Sequence, residues 1–227
     1  MTAPVTSPLP AADCREAVVD TPTRVAVITG GSRGLGLAFA YALARAGYVP
    51  LLIARSQTAL DAAVAALRAH QPATHGFCAD VRDDAALARV AHSVQQQYSG
   101  IDLLVNNAGV VFPGEFLRQN VADLHAQLET NLWGSIAATR ILGPLVRSGG
   151  AILFVSSGFG LIGVAGYAAY CASKAGLLSF ADALARELRP RNVRVHVALP
   201  ADIDTPGFRD ELRQAPAWLR RARARGA

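Results

Sequence analysis

The sequence predicts one α/β domain built on a doubly wound parallel sheet of six strands with helices on both faces. Short β-branched or apolar runs alternate along the chain with Ala- and Leu-rich segments of helical period, the pattern of parallel strands joined by right-handed crossovers. A glycine-rich turn follows the first of these runs and opens the first helical segment. Six runs end at Gly30, Arg55, Asp80, Asn107, Ser157 and Pro200. Ligands of such sheets bind beyond the carboxyl ends of the strands, so these six positions are expected to share one crevice.

Each element has its own justification. Residues 24–29 form a β-branched run bounded by Pro22 and by Gly30 and Gly31, which reads as the first buried strand. Gly34 and Gly36 complete the turn, and residues 35–46 form a helix that stops at Gly47. Strand, glycine turn and helix together make a phosphate cradle. The glycines let backbone approach a pyrophosphate, and the helix start offers free N–H groups. The second strand, 49–54, ends at Arg55, and a helix over 58–70 follows. An acid at that strand end would bind the adenosine 2′-hydroxyl of NAD. Arg55 would instead pair with a 2′-phosphate, and Arg33 in the glycine turn adds a second cation, so NADPH/NADP is the expected cofactor. The competing reading is two solvated surface arginines.

A third strand at 74–79 runs into Asp80 and Val81, and a helix follows over 83–98. The fourth strand, 101–106, enters Asn106-Asn107-Ala108-Gly109. Residues 119–146 read as helix, with Asn131 among Leu128, Leu132 and Ile136. A buried amide needs a partner, so Asn131 either bonds backbone or holds a water near the site. The fifth strand is 151–155, a helix spans 170–188, and the sixth strand is 193–199.

Tyr170 and Lys174 fall one helical turn apart on a common face. A cation beside a phenol favours the phenolate and lowers its pKa from about 10. Ser157, after the fifth strand, brings a hydroxyl to the same point. An isolated Tyr-xxx-Lys pair is ordinarily a surface pair; the upstream nucleotide cradle gives this one a chemical context. Lys174 is also the only lysine in the chain.

Composition bounds the rest. Of 227 residues, 52% are hydrophobic and 17% charged, a globular composition. The formal charge of +5 comes almost wholly from arginine, without aromatic interleaving or a reading motif, so no nucleic acid partner is expected. Cys14, Cys78 and Cys171 share no disulfide or metal spacing, and the five histidines form no ligand pattern, so no metal is expected and a reducing, cytoplasmic setting is. Cys78 and Cys171 read as buried. Residues 1–23 read as a mobile leader rather than a signal peptide, 24–208 as the dinucleotide-binding catalytic domain, and 209–227 as a basic tail. Residues 148–173 carry no charge, but glycines, serines and tyrosines interrupt them, which argues against a membrane span.

With these residues in view, the chain resembles the short-chain dehydrogenase/reductase family, with its Rossmann-type fold. Thr29-Gly30-Gly31-Ser32-Arg33-Gly34-Leu35-Gly36 is similar to the family's cofactor turn, and Asn106-Asn107-Ala108-Gly109 to its fourth-strand motif. Asn131, Ser157, Tyr170 and Lys174 match the family's catalytic tetrad in order and spacing. Leu52-Ile53-Ala54-Arg55, Gly166-Tyr167-Ala168-Ala169-Tyr170 and the run from Pro200 through Ile203, Thr205 and Phe208 resemble the 3-ketodihydrosphingosine reductases within it.

The resemblance implies hydride transfer from NADPH to a lipid-like ketone, a long-chain 3-keto sphingoid base. Tyr170 would be the general acid and Ser157 a second donor to the carbonyl oxygen. Lys174 would bind the nicotinamide ribose and depress the Tyr170 pKa, while Asn131 would support a proton-relay water. Thr205 would contact the nicotinamide amide and Asp80 and Val81 the adenine, with Pro200 and Ile203 completing the cofactor wall. The family commonly pairs through the helices around Asn131 and Tyr170, which implies a homodimer. The usual seventh strand is missing from the pattern, and residues after Phe208 read as a solvated end with little substrate lid. A weak contact of that basic end with a membrane surface is one use for it. Alternatives in the same chemistry are a 3-oxoacyl thioester or polyketide ketoreductase, or another short-chain alcohol dehydrogenase. The residues around Phe159 to Tyr167 and the shortened lid after Phe208 would choose among them. A protein that senses NADP without turnover is the non-enzyme alternative, disfavoured by the presence of both Tyr170 and Lys174.

Overall fold

A computed structural model describes residues 23–224; residues 1–22 of the expected leader lie outside the described residues. The chain alternates as expected: β1 (Arg24–Thr29), α1 (Gly34–Arg45), β2 (Tyr48–Ala54), α2 (Gln57–Arg68), β3 (His75–Cys78), α3 (Asp84–Gln97) and β4 (Ile101–Asn106). It continues through α4 (Val121–Gln127), α5 (Gly134–Leu142), β5 (Val146–Val155), α6 (Ala168–Leu188), β6 (Arg194–Ala198), α7 (Pro206–Gln214) and α8 (Ala217–Ala224). The six strands make one sheet in the order β3-β2-β1-β4-β5-β6, with every neighbouring pair parallel. The order reverses between β1 and β4, which opens a crevice at their carboxyl ends.

Period-two alternation along the strands feeds two cores. Val25, Val27, Leu51, Ile53 and Leu104 face α3, α5 and α6, against Leu87, Val90, Ala138, Leu142 and Leu177. Ile28, Leu52 and Val105 point the other way, against Ala40, Ala44, Leu60 and Leu67 of α1 and α2. Burial on both faces explains why the strands read as continuous apolar runs. Helix starts follow local chemistry. Ser56 accepts from the Ala59 N–H at 3.3 Å and Asp83 from the Ala86 N–H at 2.9 Å, each capping an orphan donor.

Four expectations change. The helix expected over 119–146 starts at Val121 and is not uniform: a π-helical turn, Leu128–Trp133, separates α4 from α5 and contains Asn131. β5 begins at Val146, ahead of the double glycine, because Ile101 of β4 pairs with Val146 before the register shifts. The segment after Phe208 is not a solvated end. Ala215 and Leu219 are buried beneath Tyr167 and Cys171 in a third, smaller apolar cluster. Two apolar residues four positions apart, Ala215 between α7 and α8 and Leu219 on α8, are hidden in a stretch whose composition arginines dominate. Cys78 is exposed rather than buried, while Cys171 is buried as expected. Among the described residues, no helix is long and apolar enough to cross a membrane, and no group of three metal-ligating side chains occurs.

Candidate active site

The crevice begins with the turn after β1. Gly30 and Gly34 have φ of 64° and 54°, a region open to glycine and strained for other residues. At Gly36 the limit is space: a Cβ there would lie 2.3 Å from the Gly30 carbonyl oxygen and 2.5 Å from Asn107 Nδ2. The turn is tied to the end of β4 rather than left free. Thr29 Oγ1 accepts from the N–H groups of Asn107 and Ala108, both at 3.0 Å. Asn107 Nδ2 in turn donates to the carbonyls of Thr29, at 3.0 Å, and Gly30, at 3.2 Å. Thr29 and Asn107 therefore clamp the two sides of the switch point and fix the shape of the cradle.

A cavity of about 430 Å³ extends from this turn along the strand ends. Its lining unites Arg33, Leu35, Arg55, Asn107, Gly109, Ser157, Tyr170, Lys174, Pro200, Ile203 and Thr205, eleven positions singled out in the sequence. Arg33 and Arg55 are exposed at one end, and among the described residues neither is in an ion pair. Thr29, Gly30, Ser32, Gly34, Gly36, Ala108, Asp80, Val81 and Asn131 are not part of the lining. Asp80 gives both carboxylate oxygens to Arg82, at 2.7 and 3.1 Å, and burial notwithstanding, this pairing holds its pKa below the ordinary carboxylate value. Val81 is buried against Gly134.

Tyr170 and Lys174 sit one turn apart on α6, with Lys174 Nζ 5.6 Å from the centre of the Tyr170 ring. Lys174 is 4% exposed and donates to the Val155 carbonyl at 2.8 Å. Burial of the ammonium lowers its pKa to about 8. Burial also dominates at Tyr170, whose phenol is pushed up to about 12; the Ser157 hydroxyl opposes this, and Glu211, Cys171 and Asp202 add to it. The expected depression of the Tyr170 pKa by Lys174 is thus reversed, because desolvation acts on both groups. Ser157 Oγ accepts from the Phe159 N–H at 3.2 Å, which leaves its own O–H to donate into the cavity.

Asn131 resolves toward the bonded core amide. It is fully buried, its Oδ1 accepts from the Val110 N–H at 2.7 Å, and its Nδ2 donates to the Val110 carbonyl at 2.8 Å and to Ser173 Oγ at 3.1 Å. Ser173 Oγ donates to the Tyr170 carbonyl at 2.7 Å. A chain of bonds therefore runs from the loop after β4 through the π-helical turn to the backbone of Tyr170. Ser156 adds a second brace, donating to the Lys174 carbonyl at 2.9 Å.

The residues expected to choose the substrate are placed elsewhere. Leu161 and Ile162 are each 65% exposed and line no part of the cavity. The wall opposite Tyr170 comes instead from the Val110–Phe112 loop and from Asp202, Phe208, Asp210, Glu211 and Gln214 around α7. Sequence reasoning places part of substrate choice in a shortened lid after Phe208 but reads that segment as a solvated end, and so misses how much of the wall it builds. The Asp-x-Asp-Thr-Pro-Gly-Phe run, with Thr205 accepting from the Phe208 N–H at 3.1 Å to start α7, was the signal available.

A sequence model of the short chain dehydrogenase family matches residues 24–216. The chain is 36% identical over 197 residues to a 3-dehydrosphinganine reductase of Danio rerio, covering 84% of this chain and 59% of that protein. It is 36% identical over 185 residues to a 3-oxoacyl-[acyl-carrier-protein] reductase of Synechocystis, covering 80% of this chain and 75% of the relative. Among solved structures, a short chain dehydrogenase from Burkholderia cenocepacia in complex with NADP superimposes with a TM-score of 0.77. It is 31% identical and covers 86% of this chain and 78% of that one. Three curated relatives are longer, and the chain spans 59% to 66% of their length. The chain belongs to the short-chain dehydrogenase family.

Proposed function

We propose that this chain catalyses the NADPH-dependent reduction of a ketone to a secondary alcohol, with a long-chain 3-keto sphingoid base as substrate. The observation that supports this most is a single cavity with a proton-donor pair, Tyr170 and Ser157, at its wall and two arginines, Arg33 and Arg55, at its far end. The cradle fits a dinucleotide: the turn around Gly30 and Gly36 has no room for side chains, and the arginines stand where a 2′-phosphate requires cations. When bound, NADPH supplies the hydride.

The chain's own residues supply the rest. Negative charge develops on the carbonyl oxygen as the ketone is reduced, and donors already in place stabilise it without reorganisation. Tyr170, held protonated at neutral pH by its burial, gives its proton to that oxygen. Ser157 donates a second bond to the same oxygen. Lys174 is anchored by one N–H to Val155 and offers the remaining two toward the ribose hydroxyls. Thr205, Pro200 and Ile203 line the cavity where the nicotinamide would lie, and Asp80 and Val81, outside the lining at the end of β3, would bound the adenine end. Asn131 contributes by position, through Ser173 to the Tyr170 backbone.

The test follows NADPH consumption with 3-ketodihydrosphingosine and, in parallel, a 3-oxoacyl thioester. Wild-type turnover is expected, with Tyr170→Phe slower by ~10²–10⁴-fold, the usual worth of a positioned general acid. Undiminished turnover in that variant sinks the assignment of Tyr170. The Synechocystis relative supports a second substrate reading, and a preference for the thioester would move the assignment there. A homodimer is part of the proposal, supported by the exposed Leu128 and Trp133 at the two ends of the π-helical turn. Sedimentation equilibrium showing a monomer at micromolar concentration would remove it.

A further inference from the structure

One cluster of buried titratable groups has no part in the chemistry above. Tyr167, the residue before α6 and one turn before Tyr170, is 2% exposed. Its hydroxyl donates to Glu211 Oε1 at 2.7 Å and accepts from Arg223 Nη1 at 2.6 Å. Arg223 Nη1 also donates to Glu211 Oε1 at 2.9 Å, and Arg223 Nη2 pairs with Asp202. The guanidinium stands over three rings, with its carbon 5.5 Å from Tyr167, 5.7 Å from Phe159 and 5.3 Å from Phe208. One arginine of α8 thus gathers α7, the loop after β6 and the head of α6.

The head of α6 needs that support. No side chain caps it, since Tyr167 has no capping oxygen near the free N–H groups. Gly166 ahead of it has φ of 83° and lies under α8, where an added Cβ would meet Leu219 Cδ2 at 2.8 Å. Phe159 then relays the contact inward: its ring is 5.0 Å from that of Tyr167 and 6.3 Å from that of Tyr170. Glu211, Asp202 and Phe208 meanwhile line the same cavity as Tyr170 and Ser157.

We propose that Glu211, Arg223 and Tyr167 form a latch that fastens α7 and α8 over the cavity, with Glu211 the positioning residue that sets the environment of Tyr170. The proposal rests on Tyr170 being the proton donor. The groups facing Tyr170 are Lys174, Cys171 and Tyr167 from α6 and its head, Ser157 after β5, Asp202 after β6, Glu211 from α7 and Arg223 from α8. A carboxylate on the cavity side disfavours the phenolate and keeps the donor form present to higher pH; burial first, and then Glu211 and Asp202, push the Tyr170 pKa in that direction. The alternative is that the latch only stabilises the fold.

The experiment compares Glu211→Gln, Arg223→Lys and Tyr167→Phe in the full chain. The Tyr170 phenol is titrated by ultraviolet absorbance in each, as the difference from the same protein carrying Tyr170→Phe. The pH profile of kcat is measured alongside, with NADPH binding followed by fluorescence. Glu211→Gln is expected to move the Tyr170 titration and the alkaline limb of kcat to lower pH by about half to one pH unit. It should lower kcat ~10-fold or more while changing the NADPH Kd less than twofold. Tyr167→Phe, which deletes one oxygen and folds even if the charged variants do not, should reproduce part of both effects. A loss of thermal stability with an unmoved titration and profile overturns the proposal. A titration that moves in a protein with no turnover on any ketone supports the latch and overturns the reductase reading.

Discussion

At Lys174 the direction of a pKa shift becomes a statement about stability. The ammonium is buried among neutral groups, so its charged form is disfavoured and its pKa falls from 10.5 to about 8. The unfolded chain keeps that proton up to about 10.5. Between the two values it binds more protons than the folded chain, and stability therefore rises with pH across this window. Below about 8 the burial cost is present in full; above 10.5 it is gone. The drop bounds the effect at ~3 kcal/mol. Lys174→Met removes the titration and leaves the Val155 carbonyl short of a partner at every pH, a constant offset. We expect the urea midpoint of the cofactor-free wild type to climb relative to Lys174→Met between pH 8 and 10.5. A constant difference between the two would show that the lysine is solvated as an ordinary surface group. The same burial makes the Tyr170 phenol a weaker acid than its ordinary value suggests, so the donors around the carbonyl oxygen have more to supply, and it explains why the expectation from Tyr-xxx-Lys spacing alone had the sign reversed. Spacing places two groups on one face; it does not state how much water they keep.

Among the elements, the turn from β1 to α1 is the one whose sequence and structure agree most closely. The requirement is carried by backbone, and glycine is the residue type that announces such a requirement. Gly36→Ala tests it. The added methyl would sit inside contact distance of the Gly30 carbonyl and of Asn107 Nδ2, both held by the Thr29–Asn107 clamp, so neither moves cheaply. Overpacking of this kind costs ~1–3 kcal/mol, and here it also splays the cradle. A lower melting temperature with loss of NADPH binding is expected; unchanged binding would mean that the clamp yields. The strands were legible for a related reason, since burial on both faces demands unbroken apolar runs with turns at their ends. What was illegible had no local period. The π-helical turn at Leu128–Trp133 follows ordinary helical sequence, and the latch joins Tyr167 to Glu211 and Arg223 across 44 and 56 positions. An arginine that stacks on three rings reads, in one dimension, like its exposed neighbours Arg220 and Arg221.

Across the whole molecule the cavity is electrically two-ended. Arg33 and Arg55 join the lining from the turn after β1 and the end of β2, Asp202, Asp210 and Glu211 from the loop after β6 and α7, and Lys174 from α6. The acids have arginine partners: Asp202 and Glu211 pair with Arg223, and Asp210 with Arg213. The cradle arginines are in no ion pair among the described residues, so the unpaired guanidiniums of the crevice lie just after β1 and β2. An anion placed there gains charge-assisted bonds of ~1.5–3 kcal/mol each. On the proposed reading a 2′-phosphate would bind these arginines and a 2′-hydroxyl would not. Arg55→Ala should therefore weaken NADPH binding by ~10–100-fold while leaving NADH binding nearly unchanged. Arg33→Ala should act in the same direction, and the double variant should bind the two cofactors about equally. Raising salt should erode the NADPH preference of the wild type, because both arginines are exposed and screened. Equal losses of NADPH and NADH in Arg55→Ala would instead place that side chain on a part of the nucleotide the two share, and the cofactor preference would have to be sought elsewhere in the crevice.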